Sequence, residues 1–218
     1  MSELFHIFPI PVYCNKAEGT VFDDIQKELK DTCDKLEFSQ VKHWTRDTHE
    51  LNLDPFERNL IEEYELTHFK KFITEGVEDY LKQVTEYDWF PFIITNCWVT
   101  KTKKGHYAHE HHHGYADISG VYYLNTNGED GNLQFDQIHS NMSGNFVFGT
   151  LPSKQAAPLE NGLLMLWPGP LKHGTQTNNT DNERISFSFN ILLARPGFPY
   201  KEGAFTPKIN PKNENNRT

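Results

Sequence analysis

Five of the eleven histidines of the chain lie within residues 106–113. In an extended strand alternate side chains share a face, so His111 and His113 can point the same way, with His109, while His112 points the other way. Two imidazoles with this spacing can bind a single cation, and imidazole suits Zn, Cu, Fe and Ni alike. The segment is therefore a candidate metal site. The alternative interpretation is a solvated, polar strand end that binds metal only adventitiously.

A third ligand must come from elsewhere in the chain, and His173 is the best candidate. It follows a strand-like run at residues 163–167 and a Pro-Gly-Pro turn, so a strand that crosses the same core could deliver it to the same place. A closed structural zinc site is not favoured, because such sites usually contain thiolates and the three cysteines are far apart, without a CxxC pair. Three protein ligands on one side leave positions open for chemistry.

The elements that would position these side chains follow from hydrophobic spacing. Apolar residues recur at three- and four-residue steps over residues 21–36 and 55–84, which predicts amphipathic helices. After residue 88, short runs of β-branched and aromatic residues alternate with Gly, Asn, Asp and Pro clusters, the pattern of a sandwich or barrel of antiparallel strands. The predicted strands are residues 90–102, 118–125, 132–136, 163–167 and 185–193. The sequence thus predicts a mainly β fold with N-terminal helices.

Length and charge limit the function classes. A chain of 218 residues suits one domain with a sizeable core. Its formal net charge of -9 disfavours non-specific binding to nucleic acid or to an anionic membrane. No stretch approaches the roughly 20 apolar residues that a membrane span requires. The first residues do not resemble a secretory leader, which predicts a cytoplasmic location.

Six segments in a fixed order carry a resemblance to a known family. They are HHH at residues 111–113, SGVYYL at 119–124, GNLQFD at 131–136, GLLMLWP at 162–168, His173, and RISFSFN at 184–190. This set resembles the 2-oxoglutarate- and Fe(II)-dependent oxygenases common in marine bacteria and their phages, and residues 4–12 look like the start of that family. The resemblance covers nearly the whole chain apart from the C-terminal tail. It implies a double-stranded β-helix, or jelly roll, with helices packed on its outside.

The resemblance and the predicted elements together imply one oxygenase domain at residues 1–198. Residues 1–88 would supply helical support, and residues 89–198 would form the jelly-roll core. Residues 199–218, which hold several Lys, Asn and Pro residues and few apolar ones, would form a C-terminal tail.

The resemblance also implies which side chains bind the metal. His111 and His113 would fill the ligand pair that is HxD or HxE in the superfamily, and His173 would be the distal histidine. The usual facial triad contains two histidines and one carboxylate, so His113 stands where a carboxylate is expected. A neutral third imidazole leaves the iron one charge more positive. Asp117 has the right strand parity to be the third ligand instead, so we predict His113 and keep Asp117 as the alternative.

Three further residues would contact the cosubstrate. Arg184 would bind the distal carboxylate of 2-oxoglutarate, because its planar fork can grip a carboxylate through two parallel hydrogen bonds. Ser186, two residues on, would be a hydrogen-bonding partner, since strand alternation puts the even-numbered residues from Arg184 to Asn190 on one face. Tyr122 is the third predicted contact. The alternative for Arg184 is a surface salt bridge with Glu183 or another acid.

These assignments predict a 2-oxoglutarate- and Fe(II)-dependent dioxygenase, a hydroxylase that couples decarboxylation of 2-oxoglutarate to oxidation of a C–H bond, in a bacterial or phage-infected host cell. Two alternatives stay open. A cupin-like metal dioxygenase or isomerase would use three histidines without 2-oxoglutarate and would not need Arg184. A non-catalytic jelly-roll binding or structural protein, such as a phage component, would carry no stoichiometric iron. The sequence indicates neither the prime substrate nor the oligomeric state.

Overall fold

The computed structural model describes residues 10–40, 50–51, 58–85, 91–136 and 154–194. Within these ranges the chain forms three helices and ten strands. The helices are α1 (Gly19–Cys33), α2 (Leu60–Glu63) and α3 (Thr67–Val84). The strands are β1 (Tyr13–Lys16), β2 (Ser39–Gln40), β3 (Glu50–Leu51), β4 (Phe92–Thr102), β5 (Ile118–Asn125), β6 (Leu133–Asp136), β7 (Lys154–Ala156), β8 (Leu163–Pro168), β9 (His173–Thr175) and β10 (Arg184–Leu193).

The strands form two sheets that pack against each other. The larger sheet has the order β1-β8-β5-β10-β4-β3-β2, and the smaller one has the order β7-β6-β9. The pairs in both sheets are antiparallel. Side chains from both sheets meet in one apolar cluster, in which Leu133 of β6 packs with Val121 of β5 and Met165 of β8. The predicted mainly β fold with a jelly-roll core and N-terminal helices is confirmed.

The five predicted strands occur as β4, β5, β6, β8 and β10: β5 has the predicted ends, and the other four differ at one end by one or two residues. The helix predicted for residues 55–84 is divided into α2 and α3, because Glu65 between them has φ 52°, a left-handed conformation that a continuous helix does not contain. Among the described residues, no helix is long and apolar enough to cross a membrane.

The N-terminal part of the chain contributes more than helical support. Strand β1 pairs with β8 in the larger sheet, with Tyr13 opposite Leu166, so a strand precedes α1 that the sequence did not reveal. The predicted boundary between helical support and jelly-roll core is therefore not a boundary between helices and strands. The predicted tail at residues 199–218, and residues 4–9 of the opening segment, lie outside the described part of the chain.

The outer face of the larger sheet packs on the helices. Phe69 of α3 lies between three aromatic rings of the sheet, with centroid distances of 5.3 Å to Tyr122, 5.6 Å to Phe187 and 6.3 Å to Phe189. Gly120 of β5 gives Phe189 its space, since a Cβ there would lie 2.4 Å from the ring. This interface supplies most of the apolar burial that holds helices and sheet together.

The inner face of the same sheet is partly polar. Register places Arg184 of β10 opposite Thr102 of β4 at one end of the face. At the other end, Asn190 lies between Asn96 of β4 and Ser119 of β5. Alternate residues of a strand share a face, so one surface of β10 carries these polar groups while the other carries apolar ones. The polar surface faces the space between the two sheets.

Candidate metal centre

Two of the predicted ligands are joined through their own backbones. The N–H of His111 donates to the carbonyl of His173 and the N–H of His173 donates to the carbonyl of His111, both at 2.8 Å. They form an isolated antiparallel bridge on the side of β9 opposite its partner β6. The expected extended conformation of the histidine segment is therefore present at this bridge, although residues 112–113 continue outside a regular strand.

The backbone of His113 is held by the Pro-Gly-Pro turn. Its N–H donates to the carbonyl of Gly169 at 2.8 Å. A side chain at position 169 has no room, because a Cβ would lie 2.2 Å from the carbonyl oxygen of Ala116 and 2.7 Å from that of His113. The turn that leads to His173 thus also fixes the segment that carries the other two histidines.

The structure brings His111, His113 and His173 together. Each offers a ring nitrogen, and these nitrogens lie within 4.8 Å of one another. The ring centroids are 4.5 to 5.1 Å apart. Over the part of the chain that the structure describes, this is the one group of His, Cys, Asp or Glu side chains that could hold a metal ion.

Hydrogen bonds at Nδ1 determine which nitrogen each ring presents. Nδ1 of His111 lies 2.7 Å from the carbonyl oxygen of His109, and Nδ1 of His173 lies 2.8 Å from that of Leu171. A carbonyl oxygen only accepts, so Nδ1 carries the hydrogen and Nε2 keeps its lone pair. Metal-ligating histidines are usually held in this way by an oxygen at the second nitrogen.

Burial favours the neutral form that a ligand needs. It lowers the pKa of His113 to about 4, with repulsion by His111 acting in the same direction. Burial is also the main cause that holds the pKa of His173 well below its usual value. Metal binding therefore displaces few protons from these two rings near neutral pH.

A cavity between the sheets connects the three histidines with Arg184 and Ser186. The space inside it and at its open mouth together is about 680 Å³. Apolar and aromatic side chains form much of the remaining wall, and the polar groups are few. The five side chains that the sequence singled out for metal and cosubstrate therefore share one enclosed space.

Arg184 is a buried cation in the wall of this cavity. It is 2% exposed. Its guanidinium donates to the carbonyls of Asp130, at 3.1 Å, and Gly131, and to the hydroxyl of Thr102 at 3.2 Å. All these acceptors are neutral, and Nε has no hydrogen-bond partner among the described residues. The buried carboxylate of Asp130 attracts the guanidinium but bonds to other groups. A buried cation with an unpaired donor is costly, so an anion bound in the cavity would complete the site.

The surface salt bridge considered for Arg184 does not form. Glu183 points away and pairs with Lys101 at 3.7 Å and with Lys103 at 3.9 Å. Burial lowers the pKa of Arg184, but a guanidinium stays protonated in proteins. The positive charge therefore stays in the cavity wall.

Asp117 is not brought to the metal group. One of its carboxylate oxygens accepts a hydrogen bond from the backbone N–H of Leu193 at 2.9 Å. Its backbone N–H donates to the carbonyl of Ile191 at 3.0 Å. Asp117 precedes β5 and its hydrogen bonds join the start of β5 to the end of β10. The third member of the candidate metal group is therefore His113 and not Asp117.

Tyr122 also lies away from the cavity, which is at odds with the predicted cosubstrate contact. It is fully buried in the core beneath the helices, where its ring meets Phe69 and Phe72. Its neighbour Tyr123 lines the cavity instead. Both faces of β5 are buried, so the sequence shows no hydrophobic alternation that would reveal which tyrosine faces which side.

Four residues of the site were not assigned a role from the sequence. Trp98 and Trp167 line the cavity, with ring centroids 5.8 Å from His113 and 4.9 Å from His173. The Nε1 of Trp167 is buried without a hydrogen-bond partner within the described ranges. Ser119 and Asn190 contact Nδ1 of His113, at 3.0 Å and 2.6 Å. The even-numbered pattern of β10 pointed to Asn190 as inward-facing, but no signal in the sequence pairs it with His113.

Comparison with known families gives one match. The model of a family described as "Putative 2OG-Fe(II) oxygenase" matches residues 96–190. This range contains the three histidines, Arg184 and Ser186. None of the curated proteins compared with the chain is significantly similar to it.

Solved structures share the fold at low sequence identity. The non-haem α-ketoglutarate-dependent epimerase SnoN from nogalamycin biosynthesis has a TM-score of 0.59 at 13% identity, over 84% of this chain and 78% of its own. HygX from Streptomyces hygroscopicus, with nickel and 2-oxoglutarate bound, has a TM-score of 0.55 at 14% identity, over 84% and 82%. A prolyl-4-hydroxylase from Pseudomonas putida has a TM-score of 0.54 at 13% identity, over 83% and 92%. At these identities the similarity shows the fold.

The family match covers less than half of the chain, and the solved structures share its fold. The match lies over the part of the chain that carries the site, and the three histidines form a group that could bind the iron.

Proposed function

We propose that the chain uses Fe(II), 2-oxoglutarate and dioxygen to hydroxylate a C–H bond of a substrate bound at the mouth of the cavity. In the balanced reaction, the substrate R–H, 2-oxoglutarate and dioxygen give R–OH, succinate and carbon dioxide. His111, His113 and His173 would hold the iron, and Arg184 would bind the distal carboxylate of 2-oxoglutarate. The observation that carries the proposal is that Arg184 is a buried cation whose Nε has no hydrogen-bond partner among the described residues, in the same cavity as the three histidines.

The histidines fit a divalent transition metal. Nδ1 of His111 and of His173 is bound to a carbonyl, so Nε2 of each ring carries the lone pair that can bind a metal. Neutral imidazoles suit Fe, and three ligands on one side of an ion leave room for exchangeable ligands. Iron, when bound, supplies the redox chemistry with 2-oxoglutarate and dioxygen. The protein contributes the position of its ligands and the shape of the cavity.

The cavity wall fits a dicarboxylic acid. The Nε of Arg184 is the donor that a carboxylate would satisfy, and charge-assisted bonds of this kind are roughly twice as strong as neutral ones. Ser186 and Tyr123 line the same wall and can hydrogen-bond to the bound acid. In this proposal the tyrosine that contacts 2-oxoglutarate is Tyr123, in place of the Tyr122 that the sequence predicted. The apolar remainder of the wall would exclude water, which strengthens these electrostatic contacts.

The structural neighbours support the choice of cofactor and leave the substrate open. HygX was solved with nickel and 2-oxoglutarate, and the Pseudomonas putida protein is a prolyl-4-hydroxylase, whereas SnoN is an epimerase. Hydroxylation is the outcome we propose for this chain. A cytoplasmic location in a bacterial or phage-infected cell stays a prediction from the sequence.

Anaerobic titration tests the proposed cofactor set. Protein without a histidine tag is loaded with Fe(II), 2-oxoglutarate is added, and the weak visible charge-transfer band of an α-keto acid bound to Fe(II) is followed. We expect the band in the wild type. In Arg184→Gln we expect the dissociation constant for 2-oxoglutarate to rise by about 10- to 150-fold, since hydrogen bonds to charged groups contribute ~1.5–3 kcal/mol.

Arg58→Gln is the matched control, because Arg58 pairs with Glu63 at the surface and should leave the titration unchanged. Succinate formation under air is the second measurement. Equal succinate formation by wild type and Arg184→Gln at low 2-oxoglutarate would contradict the assignment. Iron binding without a band would favour the cupin-like alternative, which the three-histidine ligand set also permits. Protein that binds no stoichiometric iron would favour a non-catalytic role.

A further inference from the structure

The three histidines differ in what holds their Nδ1 atoms. For His111 and His173 the acceptor is a backbone carbonyl, which a side-chain substitution does not remove. For His113 it is the side chain of Asn190, whose Oδ1 lies 2.6 Å from Nδ1. The third ligand is therefore held by a replaceable side chain.

The amide of Asn190 is buried and turns its oxygen toward His113. Asn190 is 0% exposed. Its Nδ2 donates to the hydroxyl of Tyr115 at 2.8 Å, and its Oδ1 accepts from the hydroxyl of Ser119 at 3.0 Å. With Nδ2 directed to Tyr115, Oδ1 is the atom that faces His113. An amide oxygen only accepts, so Nδ1 of His113 must donate.

A histidine in this ligand position has a problem that a carboxylate does not have. Neutral imidazole exists as two tautomers, and only the one with hydrogen on Nδ1 leaves Nε2 free for a metal ion. His111 and His173 obtain this tautomer from the backbone. His113 stands at the position where a carboxylate is usual, so its tautomer depends on a partner that the rest of the chain supplies.

We propose that Asn190 is the positioning residue of the third ligand, which holds His113 in the tautomer that presents Nε2 to the metal. The inference rests on the proposed metal site. Asn190 does so without adding negative charge, so three imidazoles and a neutral amide surround the metal. It acts through His113 and has no contact with the reacting atoms. Tyr115 acts one step further out, because it accepts from the amide, whereas Ser119 contacts both the amide oxygen and Nδ1 of His113.

Cobalt substitution tests this directly and does not depend on turnover. Co(II) is paramagnetic, and each histidine bound through Nε2 keeps an Nδ1–H close to it, which gives a strongly shifted proton resonance that disappears in D₂O. We expect three such resonances in the wild type. In Asn190→Leu we expect the resonance of His113 to be lost and the dissociation constant for Co(II) to rise by about 10- to 100-fold, the usual effect of losing an outer-shell partner.

Asn190→Asp is the conservative variant, because a carboxylate also accepts from Nδ1. It should keep three resonances and bind Co(II) at least as tightly as the wild type, since a carboxylate partner raises the basicity of the ligand. The matched control is Asn178→Leu. Asn178 is also 0% exposed, but it holds the carbonyls of Thr102 and Asn182. Its loss should leave the resonances and the cobalt affinity unchanged.

Three resonances and an unchanged cobalt affinity in folded Asn190→Leu would overturn the proposal, as would two resonances in the wild type. If Asn190→Leu does not fold, Asn190→Asp decides: three resonances support the proposal, and loss of the His113 resonance from folded protein overturns it. Failure of the proposed function looks different. Wild-type protein would then bind no cobalt, or would bind Fe(II) without the charge-transfer band on addition of 2-oxoglutarate.

Discussion

The two faces of strand β10 differ although they share one backbone. The outer face carries Phe187 and Phe189, both 0% exposed and packed against α3. The inner face carries Arg184 and Asn190, which are equally inaccessible to water at 2% and 0% exposed. Burial is thus the same on both faces, and only the chemistry of the side chains and their partners separates them.

The comparison shows how the chain divides stability from function. On the outer face, each buried ring removes apolar area from water and stabilises the fold. On the inner face, buried polar groups are costly unless they are paired, and Arg184 keeps one donor unpaired within the described part of the chain. We infer that apolar burial on the outer face offsets the cost of burying polar groups on the inner face. The polar groups of the inner face are fully paired only when ligands are bound.

The largest effect is expected for removal of a ligand from the inner face. His173→Ala should abolish metal-dependent succinate formation and lower bound Fe(II) to background, because two imidazoles do not make a stable site. The matched control is His112→Ala, since His112 is exposed and is not part of the metal group. Metal content after dialysis and succinate release are measured. Normal iron content in His173→Ala would show that the metal lies elsewhere.

The next effect concerns the outer face. Phe187→Ala should lower the free energy of unfolding by about 3–5 kcal/mol, because it leaves a cavity beneath α3. The neighbouring Ser188→Ala, which changes the inner face, should cost less than about 1 kcal/mol. Urea unfolding of the metal-free proteins gives both values. A similar decrease in the free energy of unfolding for both variants would contradict the inference that the outer face supplies the stability.

A smaller effect is expected from pH. The pKa of His113 is about 4 in the folded protein and near its usual ~6.5 when unfolded, so the unfolded chain binds a proton that the folded one does not. The contribution of His113 to the free energy of unfolding is therefore complete above the pKa of the unfolded state and decreases as the pH drops from 6.5 towards 4. Between pH 7 and 5 the loss from His113 is on the order of 2 kcal/mol.

Urea unfolding of metal-free protein at the two pH values measures this loss. Replacing His113 by Gln should reduce the pH dependence of stability, and the contribution of the buried His173 should remain. His68→Gln should not reduce the pH dependence, because the side chain of His68 is 58% exposed on α3. An equal slope in wild type and His113→Gln would exclude the neutral, buried imidazole that the inner face requires.

The smallest effect distinguishes two adjacent tyrosines. Tyr123→Phe, on the cavity side, should weaken 2-oxoglutarate binding by about 0.5–1.5 kcal/mol, the usual contribution of one hydrogen bond. Tyr122→Phe, on the helix side, should leave the affinity unchanged. The anaerobic titration measures both. A loss in Tyr122→Phe alone would restore the contact that the sequence suggested.

Much of the fold could be predicted because its signals are local. Five strands and the main helices follow from periodicity and turn residues, and alternation along β10 correctly put Arg184 and Ser186 on one face. The other five strands are short: β1, β7 and β9 have three or four residues each, and β2 and β3 have two each. So short a run is recognisable only once its partner is known, because the stability of a strand comes from its neighbours.

The site could be predicted only in part. The histidine spacing and the position of His173 indicated a metal site, and the family resemblance added Arg184. The choice of His113 over Asp117 needed the three-dimensional structure, since both have the same parity along the chain. Asp117 is engaged by the backbone of Leu193, a residue 76 positions away, and local pattern does not reveal such a contact.

The sequence by itself determined the classes of side chain, the alternation of β10 and the positions of five strands along the chain, because each depends on the properties of neighbouring residues. Tertiary structure decided which buried face became the cavity, which tyrosine faces it, and that Asn190 lies against His113. These contacts join residues far apart in sequence. Their energies depend on register and packing between strands, and no single segment of the sequence contains that information.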